Sequence, residues 1–248
     1  MEVHTHTHTE QKRLKHYLFE FFMLFLAVFC GFLAENFREH QVEHQRERQY
    51  IRSLIEDLRE DIGQAGELRT ELGQFISRLD SITVNLDQSY NSIPSVNCFK
   101  QISLGFGFND FIYTDRTMQQ LKNAGGMRLI RNLQVADSIV AFDGLIRRGL
   151  ILQDLINTMY IPRVVDKVNY LINTTEMYKL SGKDYSEKDT SNIKKGIFLS
   201  QDKSDLTRLI NEIRHYRFVI NLHLGRITSD GDTAKRLEAF LKKEYHLD

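Results

Sequence analysis

The residue pattern closest to known enzyme chemistry is the pentapeptide His40-Gln-Val-Glu43-His44. In the H-x-x-E-H pattern of inverted zinc peptidases, two histidines four residues apart bind the metal from one helix face and the glutamate acts as base. A third ligand would have to come from a distant segment, and no later segment has the expected pattern. Histidine and glutamate are also abundant locally. We therefore treat a zinc-dependent membrane peptidase as the alternative function and coincidence as the better explanation.

Other catalytic and cofactor patterns are missing from the sequence. It has no phosphate-binding loop, no G-x-S-x-G elbow and no cysteine–histidine pair with a nucleophile signature. Cys30 and Cys98 are too few for a disulfide scaffold or a cysteine-only zinc site. Gly105-Phe-Gly107 does not become a dinucleotide fingerprint, because Asp110 occupies the place of the third glycine. We predict no catalytic residue, no metal site, no cofactor and no enzymatic activity.

Four charged residues beyond position 125 have competing interpretations. Arg128 and Arg131, beside Gly125-Gly126, could hold an anion near helix termini. The simpler hypothesis, which we favour, is that they pair with carboxylates of the long preceding helix. We expect Asp137 and Asp143 to be solvent-exposed or helix-capping residues.

The overall charge argues against one large class of partner. Basic and acidic residues balance at 33 each in 248 residues, so the formal charge is zero. A nucleic-acid-binding protein normally shows a basic excess or stripe, so we predict no nucleic-acid partner. Two prolines and no tryptophan favour long helices over an all-β sandwich.

Residues 17–34 are an almost unbroken apolar run, from which only Glu20 and Gly31 depart. Eighteen residues of helix measure roughly 27 Å, close to the roughly 30 Å hydrocarbon core of a bilayer. Cleavage after this run would place the large Phe32 where a small side chain is needed, so we predict an uncleaved signal anchor in the lipid bilayer. The positions that mark the predicted span are Tyr17, Glu20, Phe25, Cys30 and Ala34.

Glu20 and the flanking charges indicate how the span is placed. Glu20 lies three residues inside the N-terminal edge, so its carboxylate can reach the interface, where Lys15 and His16 are potential partners. Three basic residues precede the span within five positions, whereas Arg38 stands alone directly after it. We predict a single-pass protein of the bacterial inner membrane, with the N-terminus in the cytoplasm and the C-terminal domain outside.

The remaining sequence predicts an all-α protein. From Ile51 to Leu86 apolar residues recur at steps of three and four, which is typical of a long helix with one packed face. We therefore expect one N-terminal transmembrane helix that continues into a long juxtamembrane helix and an antiparallel helical bundle. We predict three parts: a flexible His/Thr-rich and basic N-terminus over 1–16, the span over 17–34 and a bundle domain over 35–248. Within the bundle domain we expect a long helix over 35–90, a Phe-rich loop over 91–113 and the remaining helices over 114–248.

The Phe-rich loop has two interpretations. Pro94, Gly105, Gly107 and Asn109 are turn-forming residues, and the aromatic residues between them are unusually dense for a loop. They could plug the end of the bundle, or they could form a surface for a ligand or partner. The aromatic residues in question are Phe99, Phe106, Phe108, Phe111 and Tyr113.

Capping residues predict the ends of the middle helices. Thr114-Asp115 is a plausible N-cap, and Gly125-Gly126 should end that helix in a left-handed turn. Asn132 should cap the next helix, which runs to Tyr160. Pro162 either kinks or restarts the helix, and the helical pattern then continues to Leu180.

The last third of the chain predicts a loop and two helices. Residues 181–203 are polar with a short apolar insert, so we expect a surface loop with a brief strand at 197–199. Ser204 or Asp205 should cap the following helix. Asp230-Gly231-Asp232 should interrupt it, with a final helix over 233–245.

Two segments resemble a family of bacterial single-pass membrane proteins that is common in Bacteroidota and has no assigned function. The first follows the span and reads E-N-F-R-E and then Y-I-R-S-L-I-E-D-L-R-E-D. The second is T-M-Q-Q-L-K-N-A-G-G-M-R-L-I-R-N. The resemblance covers most of the chain from about residue 15, although the family's span is usually less rich in Phe and often has Trp where Phe37 stands. Its second motif maps onto Thr117, Leu121, Gly125, Gly126, Arg128, Ile130 and Asn132.

The resemblance implies a membrane location and a helical extramembrane domain, but no activity. We expect the motif residues to be structural, because a helix–glycine–helix corner explains them without a ligand. Only about 16 residues precede the span, which favours a scaffold or complex subunit over a sensor with a cytoplasmic output. We expect a protein partner, or self-association through the bundle or the span. A membrane-acting effector is a third possibility.

Overall fold

A computed structural model of the protein describes residues 10–89, 94–181, 197–200 and 202–247. The all-α prediction is confirmed, because 87% of the structure is helical. Within the described residues the only β-type pairing is one antiparallel bridge between Ile172 and Phe198. The helices are α1 (Glu10–Gln88), α2 (Val96–Ser103), α3 (Arg116–Asn123), a 3-10 turn (Gly126–Leu129), α4 (Leu133–Leu155), a π turn (Ile156–Tyr160), α5 (Ile161–Leu171), α6 (Thr174–Ser181) and α7 (Lys203–Tyr245).

Three long helical segments of similar length form the bundle. The bundle part of α1, the continuous run from α4 to α5, and α7 each contain about 40 residues, or roughly 60 Å of helix. α7 is antiparallel to α1, because Arg217 near its start pairs with Asp80 and Glu238 near its end pairs with Arg59. The run from α4 to α5 is parallel to α1.

The predicted apolar stripe of α1 lies in the core. Ile51, Leu72, Leu79 and Leu86 are fully buried, and Tyr216 of α7 packs edge-on against Phe75. Because these residues recur every three or four positions, one side of the helix faces the other helices for about ten turns. This burial supplies the main stabilisation of the bundle.

α1 begins earlier than the predicted N-terminal boundary of the span. Residues 10–16 are helical and continuous with the apolar run, so the prediction of a flexible N-terminus is wrong for them. Residues 1–9 lie outside the described part of the chain.

α7 is unbroken, so the predicted interruption at 230–232 is wrong. Asp230 is buried and pairs with Arg226 at 3.1 Å, which satisfies one of its oxygens inside the helix. A Cβ on Gly231 would lie 3.1 Å from the Cβ of Ala65 on α1. The glycine therefore serves close packing between helices, which overrides its local preference for a turn.

The start of α7 also differs from the prediction. Its N-cap is Asp202, not Ser204 or Asp205, and the Asp202 carboxylate accepts a hydrogen bond from the Ser204 N–H at 2.8 Å. Most of the predicted 181–203 loop lies outside the described residues, and the expected strand at 197–199 is reduced to the single bridge at Phe198.

Pro162 restarts the helix through a π turn. The Ile161 N–H bonds to the Ile156 carbonyl, five residues earlier, and Pro162 then occupies the first turn of α5. Proline has no N–H to donate, so it is tolerated at a helix start. The predicted continuation to Leu180 is interrupted after Leu171, and α6 is a separate helix.

The Phe-rich segment contains a helix, which corrects the prediction of a loop over 91–113. α2 is capped by Ser95, whose hydroxyl accepts a hydrogen bond from the Cys98 N–H. Phe99, Phe106 and Phe111 are buried in the core, while Phe108 and Tyr113 are partly buried against it. These aromatic residues therefore fill the core, as the plug interpretation expects. They do so along the bundle, whereas that interpretation placed them at its end.

Candidate functional site at the membrane-proximal end

α1 contains one stretch that is long and apolar enough to cross a membrane. Its side chains contact no other part of the described chain and are exposed, including Phe21 and Phe32 at 71% and 67%. A core helix of a water-soluble bundle would bury such residues. The predicted span residues all lie on this exposed surface: Tyr17, Glu20, Phe25, Cys30 and Ala34.

Glu20 has one of its two expected partners. The His16 Nε2 lies 3.4 Å from a Glu20 carboxylate oxygen, one helical turn towards the N-terminus. This contact places the carboxylate at the N-terminal edge of the apolar run, as the interfacial interpretation expects.

The second motif forms a compact corner between α3 and α4. Thr117, Leu121 and Ile130 are buried, and Gly125 adopts the left-handed conformation with φ of 67°. Asn132 caps α4 by accepting from the Gln134 and Val135 N–H groups.

Gly126 is the tightest point of this corner. A Cβ there would lie 3.3 Å from the Leu121 Cα and 3.3 Å from Tyr50 Cε2 of α1. The glycine therefore lets the turn pack directly against the long helix. Arg128, the remaining motif residue, is exposed.

Two aspartates of α1 hold the start of α3. Asp115 is the N-cap residue of α3, as predicted, but its side chain makes no capping hydrogen bond. The buried Asp57 takes that role, because it accepts from the Thr117 N–H at 3.0 Å. Asp61 accepts from the Thr114 N–H at 2.9 Å. Burial, with a smaller contribution from the neighbouring Asp57 and Glu60 carboxylates, raises the pKa of Asp61 to about 6. Its second oxygen has no hydrogen-bond partner among the described residues. Neither Asp57 nor Asp61 could be singled out from the sequence, because in this charge-rich stretch a buried carboxylate looks like an exposed one.

Glu47 joins three elements near the membrane. Its carboxylate is buried and accepts from the Arg131 N–H at 2.9 Å and from the Tyr245 hydroxyl at 2.7 Å. His44 lies 3.3 Å from its other oxygen. Burial, together with the Glu47 carboxylate, raises the pKa of Tyr245 above its ordinary value. Glu47 therefore ties α1 to the start of α4 and the end of α7.

Asp143 is buried, so its prediction as an exposed or capping residue is wrong. It bonds to Lys122 of α3 and, at 3.1 Å, to Arg147 one turn along α4. Burial acts to raise its pKa, but the two cations outweigh burial and hold the pKa below its usual value. Asp137 is exposed, as expected.

A cleft of about 470 Å³ separates the two motif segments, and we call it the juxtamembrane cleft. On the α1 side Arg38 bonds to Glu35 at 2.9 Å, and Arg131 pairs with Glu43 at 3.5 Å, which confirms the ion-pair interpretation for Arg131. The other lining residues include Glu39, Val42, Arg46, Tyr50, Gly125, Gly126 and Arg128.

The chemistry of this cleft is that of charge recognition. Arg46 and Arg128 line it and form no ion pair with any described residue, so the ion-pair prediction is wrong for Arg128. The carboxylates of the cleft are mainly engaged by other arginines. Its groups can bind a polar or charged surface.

The two histidines of the H-x-x-E-H pattern each lie near a glutamate one turn further along α1. His40 Nδ1 lies 3.8 Å from Glu43, and His44 Nδ1 lies near Glu47. Across the described ranges, no three His, Cys, Asp or Glu side chains are grouped to hold a metal ion.

Comparisons with protein-family models, with curated proteins and with solved structures found no match to this chain.

Proposed function

We propose that this protein is a non-enzymatic, membrane-anchored scaffold, or a subunit of a complex in the bacterial envelope. The observation that carries the proposal is that α1 is a single helix of 79 residues, which holds both the apolar span and the first bundle helix. Motion of the span relative to the bundle is therefore limited to bending of one helix.

The geometry suits a scaffold that holds partners at a set height. Glu47 is the first buried residue of the bundle and lies 13 residues after Ala34, so the bundle begins roughly 20 Å beyond the span. Gln88 ends α1 roughly 80 Å beyond the span by the same rise per residue. Partners that bind the bundle would be held between these two heights.

The proposed orientation places the short N-terminus in the cytoplasm and the bundle outside the inner membrane. It rests on the basic residues that precede the span. A suitable test uses an impermeant maleimide on intact cells that carry Cys30→Ala with either Ser77→Cys, which is exposed on α1, or Thr5→Cys. We expect Ser77→Cys to label in intact cells and Thr5→Cys to label only after permeabilisation. The reverse pattern would place the bundle in the cytoplasm.

The scaffold role itself is tested by the assembly state at native expression. Membranes would be solubilised in mild detergent and the mass of the protein's assembly measured by native mass spectrometry. We expect a stoichiometric assembly that contains either further copies or another protein. A uniform monomer without a stoichiometric companion would contradict the scaffold role.

The same preparation tests the peptidase alternative by metal analysis. We expect no stoichiometric zinc, and an unchanged assembly in His40→Ala, because His40 is exposed and contacts only Glu43 at 3.8 Å. His44 is a poorer test residue because it contacts the buried Glu47. One zinc per chain, lost in His40→Ala, would support the peptidase instead.

A further inference from the structure

α4 is apolar on two opposite sides. One side carries Val135, Ile139 and Ile146, which are buried in the core. The opposite side faces solvent and carries four large apolar residues, whose exposed fractions range from 75% for Leu133 to 37% for Leu155. A helix that is apolar on all sides is usually buried, so this second side lacks a partner among the described residues. We call it the outer face of α4, made up of Leu133, Val140, Gly144, Ile151 and Leu155.

Gly144 lies at the centre of the outer face, and nothing within the described chain explains it. A Cβ at this position would meet no atom within 4 Å. Glycine inside a helix is unfavourable relative to alanine, and at the centre of this apolar face it leaves room for a second helix to approach closely. Gly149 illustrates the difference, because a Cβ there would lie 2.9 Å from Asp230 of α7. Close approach of a second helix from outside would account for Gly144 in the same way.

The anchor selects a second copy of this chain as the partner. Copies in one membrane share one orientation and one height, so the same face of each can meet its counterpart around a two-fold axis along the membrane normal. The charges are compatible with such pairing. Asp137, Arg148 and Asp154 are exposed at the border of the outer face and form no ion pair among the described residues. Arg148 also acts electrostatically on Asp230 of its own chain, where it opposes the rise in pKa that burial causes. A parallel pair can bring Arg148 of one copy towards Asp154 of the other.

We propose that the outer face of α4 is the interface of a parallel homodimer, in which the two α4 helices cross at Gly144. The inference rests on the scaffold function, and it names the partner that the scaffold binds. In this arrangement Val140 and Ile151 of each copy lie against the same residues of the other copy.

Cysteine cross-linking in membranes tests this arrangement with the full chain. In a Cys30→Ala background, Val140→Cys and Ile151→Cys would each be oxidised with copper phenanthroline. Cys98 can stay, because it is fully buried. The matched control is Thr70→Cys, which is exposed on α1 and bonds only within its own helix. We expect at least fivefold more disulfide-linked dimer from Val140→Cys and Ile151→Cys than from Thr70→Cys.

Two further variants separate the interface from the fold. Gly144→Leu should reduce the cross-linking of Val140→Cys at least fivefold without lowering the melting temperature, since its side chain enters open space. Equal cross-linking at Val140, Ile151 and Thr70 would overturn the homodimer, as would an unchanged yield in Gly144→Leu. If native mass spectrometry then found another protein bound to a single copy, the scaffold function would stand while the homodimer failed.

Discussion

At the scale of single residues, buried carboxylates of α1 organise the membrane-proximal half of the molecule. Glu47, Asp57 and Asp61 each accept a backbone N–H from the segment between 114 and 131. A helix whose stripe is otherwise apolar thus carries polar groups that fix where the corner docks. Leaving such donors unsatisfied in a buried site is costly, which makes these contacts specific as well as stabilising.

The first prediction concerns Glu47. Glu47→Ala removes the acceptor of the part-buried Arg131 N–H and of the buried Tyr245 hydroxyl, so we expect it to lower the free energy of unfolding by about 2–3 kcal/mol. Glu43→Ala is the matched control, because its partly exposed ion pair with Arg131 should contribute less than about 1 kcal/mol. Denaturant unfolding of the detergent-solubilised protein measures both. Equal losses would show that Glu47 is not a joint between elements.

The second prediction concerns pH and Asp61. Burial raises the pKa of its carboxyl to about 6 in the folded protein, above its value in the unfolded chain. The unfolded chain therefore gives up this proton more readily, and the stability that Asp61 contributes in acid is lost as the pH rises towards and through 6. Asp61→Asn keeps an oxygen for the Thr114 N–H and removes the titration.

The measurement is unfolding of both proteins at pH 5 and pH 7.5. Relative to the wild type, we expect Asp61→Asn to gain about 1 kcal/mol of stability on going from pH 5 to pH 7.5. Comparing the two proteins cancels the contributions of other groups, such as His223, where burial lowers the pKa to about 4. A pH-independent difference would contradict the assigned environment of Asp61.

At the scale of elements, the corner between α3 and α4 is set by glycine packing. Gly126→Ala forces a methyl group to within 3.3 Å of the Leu121 backbone and the Tyr50 ring, so we expect a loss of about 1–2 kcal/mol. Gly66→Ala on α1 is the control, because its methyl group meets open space and should add up to about 1 kcal/mol through helix propensity. Thermal unfolding compares the two, and a stabilising Gly126→Ala would refute the packing role.

The start of α7 provides the other prediction at this scale. Asp202→Ala removes the side chain that accepts from the Ser204 N–H, so we expect a loss of about 1 kcal/mol. The exposed Asp137→Ala on α4 should change stability by less than half of that. If Asp202→Ala behaved like Asp137→Ala in urea unfolding, the helix would be capped by another residue.

Helices could be predicted where the apolar repeat continues over many turns. They were less predictable where packing between helices overrides the local preference of a residue. The stripe from Ile51 to Leu86 and the cap at Asn132 are both where the sequence places them. Asp230-Gly231-Asp232 has turn chemistry, but contact with α1 keeps it helical. α2 was missed because eight residues are too few for a clear period.

From the sequence, the two motif segments that line the juxtamembrane cleft could be recognised only separately. Their residues lie about 90 positions apart in sequence, and neither segment indicates that it faces the other across the juxtamembrane cleft. Glu47 and Asp57 were hidden because they occur in a stretch rich in charge, where a buried carboxylate looks like an exposed one. The sequence suggested that both Arg128 and Arg131 pair with carboxylates of α1, and among the described residues only the Arg131 pair is present.

At the scale of the whole molecule, the proposed function depends on α1 being one continuous helix between membrane and bundle. Three helical segments of matched length form the bundle, and the segment between Ala34 and Glu47, which joins the span to the bundle, has no buried side chain. A scaffold that sets the height of its partners, and a dimer that pairs equal heights, both require this segment to stay helical.

A distance across that segment tests the claim most directly. Spin labels on the native Cys30 and on Thr70→Cys, in nanodiscs with excess unlabelled protein, would be measured by double electron–electron resonance. Forty residues of helix predict one narrow distance of roughly 60 Å, and Glu39→Pro as a control should broaden it. A broad or much shorter distribution in the protein without Glu39→Pro would show that the helix is broken between span and bundle, and would contradict the account.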